Sequence, residues 1–378
     1  MQYRPFGTLD FQVSALGFGC MRLPTTDGGK QVDEDLAIAM IRYAIDHGVN
    51  YFDTAYPYHG GQSEVVLGKA LRDGYREKVK VATKLPTWAC KSAADFDRLL
   101  DEQLERLGIG RIDFYLLHNL QATLWPKVKA LGVIGWLERN AGGDRFAHAG
   151  FSFHHGYELF TEILDAWDGW ALAQVQYNYA NENVQAGTKG VEYAAERGIA
   201  VVVMEPLLGG CLAAPPRQLR AILDDAPVQR TPADWALQWL WHKPEVAVVL
   251  SGMSTMAQVE ENVASACRSG VGSLSDEELA VVARAQEAHE GLYPIPCTRC
   301  GYCLPCPQGV DIPRNIQLYN DALAFGGNQQ TLNRNIYRGL PEDLRAAACV
   351  GCKECEEKCP QGIAVSEWMP KIAEQFGG

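Results

Sequence analysis

The chain has 378 residues, 47% hydrophobic and 21% charged, an ordinary globular balance with room for one large domain and one small one. Its net charge of −12 excludes the basic footprint that nucleic acid or an anionic membrane surface would need. No apolar run approaches the ~20 residues of a membrane span, and the opening Met-Gln-Tyr-Arg-Pro-Phe has no secretory apolar region, so a cytoplasmic protein is expected.

Residues 3–13, with Gly7 and Asp10, read as a short hairpin. Apolar, β-rich runs then recur at 15–20, 50–54, 79–85, 112–118, 147–153, 172–178, 199–206 and 246–252. Amphipathic helical patterns lie between them, at 34–47, 63–72, 93–107, 157–166 and 183–197. Eight buried strands linked by helices predict a parallel (β/α)8 barrel, an α/β fold, with the hairpin closing its floor. Pro232 takes the first position of a further helix, and two more follow the eighth strand at 255–267 and 275–290. Ser275 and Glu278 form the capping box of the last. Two prolines in Gly291-Leu-Tyr-Pro-Ile-Pro296 stop that helix and divide a barrel at 1–290 from a second domain at 291–378. In the second domain, helices at 311–324 and 340–348 alternate with cysteine loops, which predicts a small, mainly helical unit.

Eight of the twelve cysteines fall in two runs. They are Cys297-Thr-Arg-Cys300-Gly-Tyr-Cys303-Leu-Pro-Cys306-Pro and Cys349-Val-Gly-Cys352-Lys-Glu-Cys355-Glu-Glu-Lys-Cys359-Pro. Without an export signal, such spacing points to metal or redox work rather than disulfides. The second run has the spacing of two-cluster ferredoxins, in which the cysteine before proline ligates the other cluster. The first run is the same pattern one residue shorter, so two [4Fe–4S] clusters are expected. In the crossed arrangement Cys297, Cys300, Cys303 and Cys359 hold one, and Cys349, Cys352, Cys355 and Cys306 the other. The local alternative keeps each run on its own metal. Zinc ribbons use paired Cys-x-x-Cys knuckles but not a third evenly spaced cysteine followed by Cys-Pro. Gly301 and Gly351 let loop N–H groups turn toward the sulfurs. Cys20, Cys90, Cys211 and Cys267 form no motif and read as buried, inert thiols.

In a (β/α)8 barrel the reactive residues sit at the C-terminal ends of strands. The second predicted strand runs into Asp53-Thr-Ala-Tyr-Pro-Tyr58, the third ends at Lys84, and the fourth at His118. An acid, a phenol, an amine and an imidazole thus share one rim. A phenol titrates near pH ~10, and an adjacent ammonium lowers that value. Lys84 can supply the charge, oriented by Asp53, so that Tyr58 protonates a carbonyl oxygen that His118 holds and polarises.

These residues resemble the aldo-keto reductase family. The resemblance runs from about residue 3 to about 266, through Phe52-Asp-Thr-Ala-Tyr-Pro-Tyr58, Gly61-Gln-Ser-Glu-Val-Val-Leu-Gly68, Thr83-Lys84, Asp113-Phe-Tyr-Leu-Leu-His118, Pro232-Ala-Asp-Trp-Ala-Leu and Gln258-Val-Glu-Glu-Asn262. With the cysteine tail, the chain looks like the iron–sulfur branch of that family. The resemblance implies catalysis by Asp53, Tyr58, Lys84 and His118 on a small carbonyl or alcohol, with NADP(H) or NAD(H) lying across the rim. It implies carboxamide contacts from Ser152 and Gln174, and Met204 in place of the family's stacking Tyr. It assigns Leu207, Gly209 and Gly210 to the pyrophosphate, and Ser254, Gln258, Glu261 and Asn262 to the adenosine end. Helix capping is the competing reading for Ser254, Thr255 and Asn262. Gly252-Met-Ser-Thr-Met-Ala-Gln258 carries no Lys or Arg for a 2′-phosphate, which leaves NADH in contention. Trp88, Trp125 and Tyr56 are candidate pocket walls, and His154 and His155 read as surface residues. The clusters would pass electrons to or from a protein partner or a second site. The alternatives are structural or oxygen-sensing clusters, or an electron-transfer protein that uses the barrel as a docking scaffold.

Overall fold

A computed structural model of the chain describes residues 1–26 and 31–377. It divides into two compact units, Met1–Pro206 with Ala236–Ser275, and Leu207–Trp235 with Asp276–Gly378. This division differs from a cut after residue 290, because helix Arg217–Asp224 buries Leu219 and Leu223 and packs against helix Asp276–Glu290.

The first unit is a closed parallel barrel. Its strands are, in order, Leu16–Gly19, Tyr51–Asp53, Lys80–Leu85, Ile112–Leu120, Phe146–Phe153, Trp170–Gln176, Ala200–Met204 and Val246–Gly252. Each pairs with the next, and the eighth pairs back with the first. The strands read as continuous apolar runs because both faces are buried, one inside the ring and one under helices. Tyr51, Ala82, Phe114, Leu116, Leu172, Val202 and Val248 fill the interior.

The hairpin Tyr3–Phe6/Leu9–Ser14 sends Phe6 and Val13 into that same core. The Phe6 ring lies 4.8 Å from Phe114 and 5.8 Å from Tyr51, so it plugs the end of the barrel where the strands begin. Burial of this one side chain contributes roughly 1.5–3 kcal/mol. At Gly7, φ is +56° and a Cβ would lie 2.4 Å from the Gly198 carbonyl oxygen, so the turn demands glycine.

The second unit is helical. Helices Ile312–Phe325, Gly327–Gly339 and Val365–Phe376 enclose a core of Ile316, Leu318, Tyr337, Met369, Ile372 and Phe376. Asp311 caps the first of them by accepting the Arg314 N–H at 3.2 Å, with Pro313 in the opening turn. In place of a helix over 340–348 there are two short 3₁₀ turns, Glu342–Leu344 and Ala346–Ala348. Arg345 interrupts them in an extended conformation, with ψ at 155°. Among the described residues, no helix is long and apolar enough to cross a membrane.

Candidate active site and cluster loops

The second barrel strand ends at Asp53 and the third carries Lys84, both fully inside the protein. Lys84 Nζ lies 2.6 Å from Asp53 Oδ1 and donates to the Thr54 carbonyl at 2.8 Å. Burial raises the Asp53 carboxyl and lowers the Lys84 ammonium, and each charge opposes the shift of the other. Tyr58 opens the 3₁₀ turn Tyr58–Gly61 and remains partly exposed. The Lys84 Nζ stands 5.1 Å from its ring centroid. The His118 ring meets Tyr58 edge-on at 6.0 Å and an interplanar angle of 83°. Burial holds His118 well below the ordinary imidazole range, and the neighbouring Lys84 charge adds to this, so it is neutral at pH ~7. Four side chains from three strand ends thus form one contiguous group.

Two further residues join it. Trp88, 37% exposed, places its ring 5.0 Å from His118. His154 is half-buried, with its Nδ1 enclosed: desolvation brings its imidazole down to about 4, and it lies close enough to act electrostatically on His118. His155 is exposed. Trp125 is fully buried with its indole N–H on Glu162 at 3.0 Å, and the Tyr56 hydroxyl is taken by Glu102 at 3.1 Å, so both serve packing.

A polar network behind the third strand fixes Lys84. Gln103 Nε2 donates to Glu64 Oε1 at 2.6 Å, to Thr83 Oγ1 at 3.0 Å and to the Lys84 carbonyl at 3.1 Å. Thr83 donates to Glu64 at 2.6 Å, and the Tyr115 hydroxyl donates to Gln103 Oε1 at 2.8 Å. Glu64, Thr83, Gln103 and Tyr115 are completely buried.

The model of the "Aldo/keto reductase family" matches residues 15–286. The chain belongs to the aldo/keto reductase family. A "4Fe-4S dicluster domain" model matches residues 296–364. L-galactose dehydrogenase of Arabidopsis thaliana is 30% identical over 290 residues, covering 70% of this chain and 88% of that protein. Among solved structures, aldo-keto reductase AKR11C1 from Bacillus halodurans in its holo form superposes with a TM-score of 0.63 at 27% identity, over 75% of this chain and 96% of that one. An aldo-keto reductase from Klebsiella pneumoniae in complex with NADPH gives 0.61 at 25% identity, over 75% and 95%.

In this aldo/keto reductase, strand register sets Ser152 beside Gln174, both buried. The Ser152 oxygen accepts the Asn119 N–H at 2.8 Å, which leaves its own O–H to donate. Gln174 Oε1 is buried with no hydrogen-bond partner, while Nε2 lies 3.7 Å from the Met204 sulfur. A carboxamide needs one donor and one acceptor, and this pair fits it. Leu207, Gly209 and Gly210 fall in the second unit, in a tight turn with φ of +63° and +94° at the two glycines. On the eighth-strand side, Thr255 caps helix Met256–Cys267, and Gln258 accepts the Ser254 N–H at 2.8 Å. Asn262 donates to Ser251 at 3.0 Å, and Glu261 is exposed. Ser254 donates to the Arg22 carbonyl at 2.8 Å, and the Arg22 stem lies against Gly252. An arginine thus packs its stem against the loop whose own sequence lacks a base. It comes from a segment more than two hundred residues earlier, so a scan of 252–258 could not find it.

In the second unit, Cys297, Cys300, Cys303 and Cys359 line one small pocket, walled by Ile312, Ile316, Ile363 and Val365. The N–H groups of Gln361, Gly362 and Ile363 point at the Cys359 sulfur, and that of Arg299 at Cys297. Cys349 and Cys352 both lie within electrostatic reach of Cys355, and Cys306 packs on the core of this unit. The two loops share a backbone pattern. Arg299 and Gly301 flank Cys300 with φ of +56° and +80°, and Gly351 and Lys353 flank Cys352 with +69° and +65°. Such turns collect N–H groups into concavities that suit anionic iron–sulfur clusters. Four thiols around an apolar cavity with converging N–H groups fit a cluster. Among the described residues, no three Cys, His, Asp or Glu side chains converge at the spacing of a single metal ion. Of the remaining thiols, Cys20 and Cys90 are buried, but Cys211 is half-buried and Cys267 exposed, so burial does not describe all four.

Proposed function

We propose that the barrel moves hydride between a nicotinamide dinucleotide and a small carbonyl or alcohol, and that the tail carries two [4Fe–4S] clusters that exchange electrons with a protein partner. Bound nicotinamide supplies or takes hydride at the substrate carbon, and each cluster carries one electron. Tyr58 gives its phenolic proton to the carbonyl oxygen, and Lys84 offsets the negative charge left on the ring. Asp53 holds the ammonium in place. Neutral His118 donates a hydrogen bond to the same oxygen, and Trp88 shields one side of the pocket. Ser152 and Gln174 orient the carboxamide, Met204 supports the nicotinamide face, and Leu207, Gly209 and Gly210 offer backbone N–H groups to the pyrophosphate. Ser254, Gln258, Glu261 and Asn262 border the adenosine end. NADP(H) is favoured by Arg22 beside Gly252 and by the NADPH complex of the Klebsiella relative. Crossed ligation is favoured by the four thiols that share one cavity. The observation that carries the reading is the buried Lys84–Asp53 pair beneath the Tyr58 ring.

The test is anaerobic turnover with NADPH and NADH over a panel of carbonyls, for the native protein and Tyr58→Phe. The substitution should lower kcat by roughly 10²–10⁴-fold and leave dinucleotide affinity unchanged. Equal turnover by both proteins would refute the assignment.

A further inference from the structure

The geometry points to a mechanical link, inside the second unit, between the first cysteine loop and the turn proposed to hold the dinucleotide's pyrophosphate. The inference rests on the dinucleotide reading above and adds a positioning residue, Arg299. The turn Leu208–Gly210 runs through three successive left-handed residues, with φ of +48°, +63° and +94°. Leu208 is not glycine, so this conformation is costly unless its surroundings fix it.

The cysteine loop provides those surroundings. The Arg299 guanidinium donates to the Gly209 carbonyl. Gly209 packs so closely on Thr298 that a Cβ would lie 2.6 Å from the Thr298 carbonyl oxygen. A Cβ on Gly210 would lie 3.5 Å from an Arg299 nitrogen, and Cys211 is within electrostatic reach of Cys297. Asp321, on helix Ile312–Phe325, lies within electrostatic reach of Arg299.

Thr298 and Arg299 are the two residues between Cys297 and Cys300, thiols of the four-cysteine cavity. Binding a cluster at those thiols fixes both ends of a four-residue segment whose middle holds the turn. The turn's N–H groups are then preorganised for phosphate, and dinucleotide binding in turn stabilises the cysteine loop. Such coupling is reciprocal by thermodynamic necessity.

The experiment uses full-length protein purified anaerobically, with iron content measured for every sample. NADPH and NADH affinities are read by fluorescence titration for the native protein, Arg299→Ala and Arg299→Lys. At equal iron content, Arg299→Ala should weaken binding roughly tenfold, and Arg299→Lys should recover part of the loss. In the native protein, saturating dinucleotide should slow iron loss to a chelator, and this protection needs no variant. Unchanged affinity in Arg299→Ala, or iron loss indifferent to dinucleotide, would overturn the link alone. A native protein that binds neither dinucleotide would overturn the hydride-transfer reading and the link with it.

Discussion

At the scale of single residues, the Lys84–Asp53 pair is the most exposed to mutation. Both charges are out of water, so removing one leaves the other buried and uncompensated. Lys84→Met should cost about 3–5 kcal/mol of stability, and adding Asp53→Asn should restore most of it. Urea unfolding followed by tryptophan fluorescence reads both, and a double variant as unstable as the single one counts against the pair. The desolvated histidines make a second prediction. His118 is held far below its ordinary range and His154 is brought down to about 4, both by burial. The unfolded chain binds their protons below pH ~6.5, whereas the folded barrel does not until far lower. Stability should therefore fall as pH drops from ~6.5 toward ~4, and His154→Gln should flatten that dependence. An identical pH slope in the variant would argue against a desolvated, neutral His154.

At the scale of elements, the third strand shows what the sequence could and could not tell. Its apolar run and the Thr83-Lys84 ending were legible because period and strand-end position are local properties. Gln103 was not, because a polar residue in an amphipathic helix reads as solvent-facing until the helix is docked. Its amide then joins Glu64, Thr83 and the Lys84 carbonyl in a dry network. Gln103→Leu should destabilise the barrel by about 1–3 kcal/mol through the partners it strands. It should also lower kcat more than it changes dinucleotide KM, since the strand that loosens is the one bearing Lys84. A variant that loses stability but keeps the native kcat would separate the network from positioning. Arg22 and His154 were missed for the same kind of reason: their neighbours come from distant parts of the chain. The left-handed Arg299 and Lys353 carry no glycine signal, so only Gly301 and Gly351 stood out by sequence.

At the scale of the whole molecule, Cys359 of the second cysteine run lines the same pocket as Cys297, Cys300 and Cys303 of the first. If Cys359 serves the site of Cys297, Cys300 and Cys303, then Cys359→Ser and Cys297→Ser should alter the same cluster signal. Cys349→Ser should alter the other. Electron paramagnetic resonance of the reduced proteins distinguishes these patterns, and a native iron content near eight per chain is expected (about eight for two four-iron clusters). If Cys359→Ser instead matched Cys349→Ser, ligation would be local. Prolines such as Pro294 and Pro296 mark a break in local structure, but they do not report that Leu207–Trp235 shares a compact unit with Asp276–Gly378.

The discontinuous second unit also bears on how the chain is made. Residues Leu207–Trp235 leave the ribosome well before Asp276 and the cysteines. At about 5–20 residues per second, the interval before the last cysteine emerges is on the order of ten seconds. During that interval the turn at Gly209 has no Thr298 or Arg299 to rest on. If the proposed link holds, maturation of that turn waits on synthesis of the cysteine loop and on the supply of iron and sulfide, and a nascent chain halted before Thr298 would leave it unsupported.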